Sequence, residues 1–176
     1  LKILTLCTGN VARSVMLGYM LASLGEGSGE LWSVRSAGTL AVEGAAMSVR
    51  TRDALRSVVE LGEQRYGAHR SHQVDGADVE WSDVILASEA AHVHYVRAHF
   101  ESASIKTVQL ALFVRRAPTG VTFAQQLAAV ADLDPSTQYD VADPAGGDQF
   151  AYDQCASQLW ELAKAFTQLV AGDSGS

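Results

Sequence analysis

The chain has 176 residues, 48% of them apolar and 19% charged, with a formal net charge of −7. That length and composition suit one domain with a sizeable core and exclude a disordered chain. The acidic balance argues against a nucleic-acid partner, and no apolar run approaches the roughly 18 residues that would span a bilayer.

Leu1–Leu6 reads as a short apolar strand, and Ser14–Leu24 as the first helix. Gly25–Gly29 is glycine-rich and reads as a turn, followed by an alternating strand over Leu31–Arg35. Ser48–Gly62 reads as a helix, with Val49, Leu55, Val58, Val59 and Leu61 available for its buried face. Val84–Ala87 is a short apolar strand, Glu89–Phe100 a helix and Ile105–Leu110 a fourth strand. Thr122–Asp132 carries an apolar stripe of Phe123, Leu127 and Val130. Asp148–Val170 reads as a long terminal helix with Leu159, Trp160, Ala163 and Phe166 on or near its inner face.

Strands that alternate with helices imply an α/β fold with a parallel sheet. Ligands in such sheets bind beyond the carboxyl ends of the strands. Cys7-Thr8-Gly9-Asn10-Val11-Ala12-Arg13-Ser14 lies at that end of the first strand and opens the first helix. Five residues between Cys7 and Arg13 can curl into a cradle of backbone N–H groups. Gly9 and Asn10 are the types that most readily take positive φ within such a curl. The helix N-terminus adds unpaired donors and partial positive charge, which suit a phosphate. The same field and the Arg13 guanidinium favour a sulfur anion. No G-x-x-x-x-G-K-[ST] occurs, so the loop is not a Walker-type nucleotide site.

The Cys7–Ser14 stretch resembles the phosphate-binding loop of the low-molecular-weight protein tyrosine phosphatases. The resemblance continues, in the family's order, through Ser36-Ala-Gly-Thr39, His69-Arg-Ser-His-Gln73, Ser82-Asp-Val-Ile-Leu-Ala87 and Asp143-Pro144. It implies a single domain, a four-stranded parallel sheet flanked by helices. Residues 1–171 are expected to form that domain and residues 172–176 a flexible tail. The activity implied is metal-independent hydrolysis of a phosphomonoester, most of all protein phosphotyrosine, with no cofactor.

In that chemistry Cys7 attacks phosphorus and forms a cysteinyl-phosphate. Arg13 and the loop amides from Thr8 to Ser14 hold the equatorial oxygens, and the planar guanidinium meets two of them at once. The Ser14 hydroxyl can donate to the Cys7 sulfur; a helix N-terminal serine that satisfies backbone donors is the alternative. The resemblance makes Ser36 and His69 supports of Asn10. The leaving group needs a proton, and two Asp-Pro pairs are present, Asp134-Pro135 and Asp143-Pro144. The family places its acid just before the last helix, which selects Asp143. His69, His72, His92, His94 and His99 are scattered without neighbouring cysteines, so no metal centre is expected.

Departures from the family pattern bear on the substrate. Ala145 stands where an aromatic often follows the Asp-Pro pair, and Leu40, Ala41 and Val42 stand where the pocket wall is often Trp or Tyr. Val15 and Ser88 replace a usual proline and methionine. Ala12 replaces a second cysteine that many members carry, so a disulfide within the loop is not available. Arsenate reductases of this fold relay electrons through mid-chain cysteines, and none lies between Cys7 and Cys155. Protein arginine phosphatases tend to carry threonine at the position of Val11. An apolar Val11 favours an aryl or apolar leaving group. A non-catalytic phosphate or phosphoprotein binder on the same fold is the remaining alternative. Two cysteines and no visible leader or membrane segment suit a cytoplasmic protein with a phosphorylated protein or small aryl phosphate as its partner, and a phosphate- or sulfate-like anion in the loop.

Overall fold

The computed structural model describes residues 1–62 and 64–171. The expected tail, 172–176, lies outside the described residues. Four parallel strands form one sheet: β1 (Lys2–Cys7), β2 (Ser33–Gly38), β3 (Val84–Ala87) and β4 (Thr107–Gln109), in the order β2-β1-β3-β4. Side chains alternate across it as pleating requires. Leu4, Leu6 and Ile85 enter one apolar cluster with Val79 and Val96, while Ile3, Val84 and Leu86 enter the other, larger one. That larger cluster holds α1 (Arg13–Ser28), α5 (Leu110–Arg116) and α7 (Gln149–Ala171) against the sheet. The smaller one lies under α3 (Gly76–Trp81) and α4 (Ala90–His99). Two further helices, α2 (Val49–Ser57) and α6 (Phe123–Ala131), complete the layers.

Several boundaries differ from the sequence reading, each for a local reason. Helix α1 runs through Gly25 to Ser28 and ends at Gly29 in the left-handed conformation, φ 76°. Gly25 is a packing position, not a turn: an added Cβ would lie 3.1 Å from the Trp32 ring. Strand β2 starts at Ser33, not Leu31, and extends to Gly38 because it pairs with β1 as far as Cys7. Leu31 is almost wholly exposed. Helix α2 stops at Ser57 and gives way to a 3₁₀ turn over Val59–Leu61, so Val49 and Val59 face solvent and not the core. The fourth strand spans only Thr107–Gln109; Ile105 falls in a 3₁₀ turn and Leu110 opens α5. Helices α3 and α5 were not expected. The first has only six residues and is held by a capping box at Asp75, and the second was concealed in the apolar run after β4.

Candidate active site

β1 delivers Cys7 to the carboxyl edge of the sheet, and the chain then turns through Asn10, the one non-glycine residue with positive φ among those described (52°). From Thr8 to Ala12 no backbone N–H finds a backbone acceptor among the described residues. Ala12, at the N-cap of α1, has no side-chain oxygen to cap the helix, and the first turn holds no acidic residue. The amides are therefore left free to receive an anion. Cys7, Thr8, Gly9, Val11, Ala12, Arg13, Asp143, Ala145 and Tyr152 line the resulting bowl, a cavity of about 210 Å³.

Gly38 explains why this loop sits where it does. A Cβ there would lie 2.4 Å from the Thr8 carbonyl and 3.0 Å from the Asn10 nitrogen. The glycine of Ser36-Ala-Gly-Thr39 thus lets β2 back the loop. Thr39 and Leu40 N–H groups donate to the Cys7 and Thr8 carbonyls, each at 2.9 Å. Thr5, buried on β1, donates its hydroxyl to the Ser14 carbonyl at 2.7 Å and so ties strand to helix.

Asn10, Arg13 and Ser14 are buried, and Asn10 and Ser14 join Cys7 in series. Ser14 Oγ lies 3.0 Å from Cys7 Sγ and accepts from Asn10 Nδ2 at 2.9 Å. With Asn10 donating to the hydroxyl oxygen, the serine proton is free to point at sulfur. His69 Nε2 donates to the Asn10 carbonyl at 2.8 Å, and burial holds this imidazole below its ordinary pKa, in the neutral form. No hydrogen bond joins Ser36 to Asn10 among the described residues. Ser36 stands opposite Thr5 in the β1–β2 register, and the Asn10 side-chain carbonyl instead accepts from the His72 backbone N–H at 2.9 Å. His72, not Ser36, is the second support.

Arg13 is 1% exposed. Its Nη1 is paired with Glu89 Oε1 and donates to the Val141 carbonyl at 3.0 Å. Its Nη2 donates to Asp143 Oδ2 at 2.8 Å and to Thr8 Oγ1 at 3.4 Å. Glu89 escaped the sequence reading, although it follows the carboxyl end of β3, where the strand-end rule could have flagged it. Ser88 beside it is more than a substitution for methionine. Its hydroxyl donates to the Leu6 carbonyl at 3.0 Å, and its carbonyl accepts from Val141 N–H at 2.9 Å. That second bond draws the Val141–Asp143 segment over the bowl. Asp143 Oδ1 then accepts from Ala145 N–H at 3.0 Å, which fixes the carboxyl. Asp134 is exposed and absent from the bowl lining.

A family model described as low molecular weight phosphotyrosine protein phosphatase matches residues 2–174. The chain belongs to that family. A protein-arginine-phosphatase from Geobacillus stearothermophilus is 30% identical over 161 residues, 92% of this chain and 90% of the relative. The solved arginine phosphatase from the same organism superposes with a TM-score of 0.72 at 29% identity, covering 95% of this chain and 90% of the other. A low molecular weight protein tyrosine phosphatase from Bacillus subtilis gives a TM-score of 0.77 at 25% identity and covers 99% of each chain. The expected four-stranded parallel architecture is that of the family.

Two other features qualify the sequence reading. His72, Asp75 and Asp78 form one compact group of metal-ligating types among the described residues. Its atoms are engaged with one another, His72 Nε2 lying 2.9 Å from Asp78 Oδ2 while Nδ1 faces Glu43, and none of the three lines the bowl. Cys155 is buried in α7, and burial, the first of several influences, pushes its thiol up to about 12. No helix of the described residues is long and apolar enough to cross a membrane.

Proposed function

We propose that the chain hydrolyses phosphomonoesters through a cysteinyl-phosphate, with protein phosphotyrosine as the preferred substrate class. The observation that carries this reading is the convergence of Cys7 Sγ, the acceptor-free amides of Thr8–Ala12 and the Arg13 guanidinium on one bowl. A tetrahedral dianion with one apical bond to break matches that arrangement. The amides and Arg13 take its equatorial oxygens while sulfur approaches phosphorus in line. The Ser14 hydroxyl stabilises the sulfur anion on attack and again as it departs from phosphorus.

Asp143 serves as the acid. Its carboxylate accepts from Arg13 Nη2. A phosphoryl dianion competes for the same nitrogen and displaces it. The freed carboxylate, still held by the Ala145 N–H, takes up a proton from solvent and then faces the leaving oxygen as the acid. It gives that oxygen its proton, and in the second step takes one from the water that attacks phosphorus. Glu89 and the Val141 carbonyl keep Nη1 fixed, so only one edge of the guanidinium exchanges partners. None of these steps draws on a metal or cofactor.

Protein phosphoarginine is the second reading, favoured by the 30% identical relative. Val11 weighs for the aryl ester, since its side chain offers the bowl only methyl groups. Two free cysteines suit a reducing compartment, so a cytoplasmic location belongs to the same proposal. The test compares kcat/KM on phosphotyrosine, phosphoserine and phosphoarginine peptides, each with and without EDTA. The reading expects phosphotyrosine to lead and EDTA to change nothing. A lead for phosphoarginine would move the chain to the second reading, and loss of activity with EDTA would overturn the mechanism.

A further inference from the structure

His92 lies outside the motifs that identify the loop, yet it is 2% exposed and reaches Thr8 from α4. Its Nδ1 receives the Glu89 backbone N–H at 3.1 Å. An N–H can only donate, so Nδ1 is the acceptor nitrogen and the ring proton sits on Nε2. Burial first, and the neighbouring Arg13 charge second, hold the ring neutral by lowering its pKa to about 4. Nε2 lies 2.9 Å from Thr8 Oγ1 and must donate to it. Arg13 Nη2, also obligatorily a donor, approaches the same oxygen at 3.4 Å. Both lone pairs of the Thr8 hydroxyl thus face donors, and its own proton has no acceptor within hydrogen-bonding distance among the described residues. Thr8 lines the bowl.

We propose that Thr8 is a catalytic residue whose hydroxyl, turned by His92, donates a hydrogen bond to an oxygen of the bound phosphoryl group. His92 is its positioning residue: it touches no substrate and acts by occupying the lone pair that would otherwise let the hydroxyl rotate away. A side-chain donor is thereby added to the backbone amides on the side of the bowl nearest Arg13. The requirement is for a donor on Nε2 and a hydroxyl at residue 8, not for a charged imidazole. The inference rests on the phosphatase reading, because it assigns Thr8 to the oxygens of that substrate.

The test measures orthovanadate affinity and kcat/KM for a phosphotyrosine peptide in the full chain and in Thr8→Val, Thr8→Ser, His92→Phe and the Thr8→Val/His92→Phe pair. Thr8→Val keeps the shape and removes the hydroxyl. A bond to a charged acceptor is at stake, so vanadate affinity and kcat/KM should each fall about tenfold. Thr8→Ser should recover most of both. His92→Phe should reproduce the loss, and the double variant should be no worse than Thr8→Val alone, since each removes one link of one chain. Unchanged vanadate affinity in Thr8→Val, equal losses in Thr8→Val and Thr8→Ser, or additive losses in the double variant would each overturn the proposal. If His92→Phe does not fold, Thr8→Val against Thr8→Ser decides alone. Failure of the phosphatase reading is distinguishable: it appears as absent turnover in the unsubstituted chain.

Discussion

The floor of the bowl and the segments that flank it are built differently. On the floor, Asn10, Arg13 and Ser14 are buried polar side chains, and each has at least two hydrogen-bonding partners. On the flanks, Leu40 and Val42 follow β2 with three-quarters of their surface exposed, and Phe150 at the start of α7 is 66% exposed. Buried polar groups are costly unless paired, so the floor has few acceptable arrangements. Exposed apolar side chains impose no such constraint. In the proposed mechanism the floor carries the chemistry, while the apolar side chains that follow β2 and open α7 stay exposed.

Apart from loss of the nucleophile, the largest effect expected without unfolding comes from Asp143→Asn above the floor, which keeps the shape and removes the acid. kcat on a phosphotyrosine peptide should fall about a hundredfold, and much less on a nitrophenyl ester, whose leaving group needs little protonation. Equal losses on both esters would remove Asp143 from that role. Gly38→Ala attacks the support behind the floor, where the new methyl meets the Thr8 carbonyl. Urea unfolding should show a loss of about 1–3 kcal/mol. A stability equal to the parent's would mean that β2 does not constrain the loop.

A third effect is pH-linked. His92 titrates near 4 in the folded chain, kept there first by burial and then by Arg13, with Asp140 and Asp143 acting in the opposite sense. The unfolded chain, with an ordinary histidine near 6.5, binds the proton more readily between those values. Stability is therefore complete above about pH 6.5 and falls as pH drops toward 4, by something on the order of 1–3 kcal/mol. Thermal melts across that window should show a shallower fall for His92→Gln than for the parent, and identical slopes would contradict the assignment. The smallest effects belong to the flanks. Leu40→Ala and Phe150→Ala should raise KM for a phosphotyrosine peptide by no more than about threefold with kcat unchanged. A tenfold loss of kcat from either would place flank residues in the chemistry and erase the contrast.

How much was legible in the sequence follows the same division. Cys7, Asn10, Arg13 and Ser14 lie within eight residues of one another, so local pattern alone reveals their loop. The strand before it and the helix after it are equally local. The supports come from far along the chain. Glu89 meets Arg13 across 76 positions, and the His72 backbone meets Asn10 across 62. Nothing in a spacing of that kind announces contact. The backbone N–H that replaces Ser36 as the partner of Asn10 carries no residue identity at all. Gly38 was visible as a motif, but its reason is a distance between two backbones. β2 starts late because α1 runs on to the left-handed Gly29, and it ends late because it pairs with β1 as far as Cys7. α2 and β4 are shorter than their apolar patterns because 3₁₀ turns take over at Val59 and Ile105.

The central claim is that Cys7 sulfur bonds to phosphorus. Rapid acid quench of the Asp143→Asn variant during turnover of a phosphotyrosine peptide, followed by mass spectrometry of its fragments, addresses that claim directly. The fragment holding Cys7 should carry one added phosphoryl group, and Cys7→Ser should neither turn over nor carry it on sulfur. A phosphoryl group on another side chain, or turnover that persists in Cys7→Ser, would contradict it.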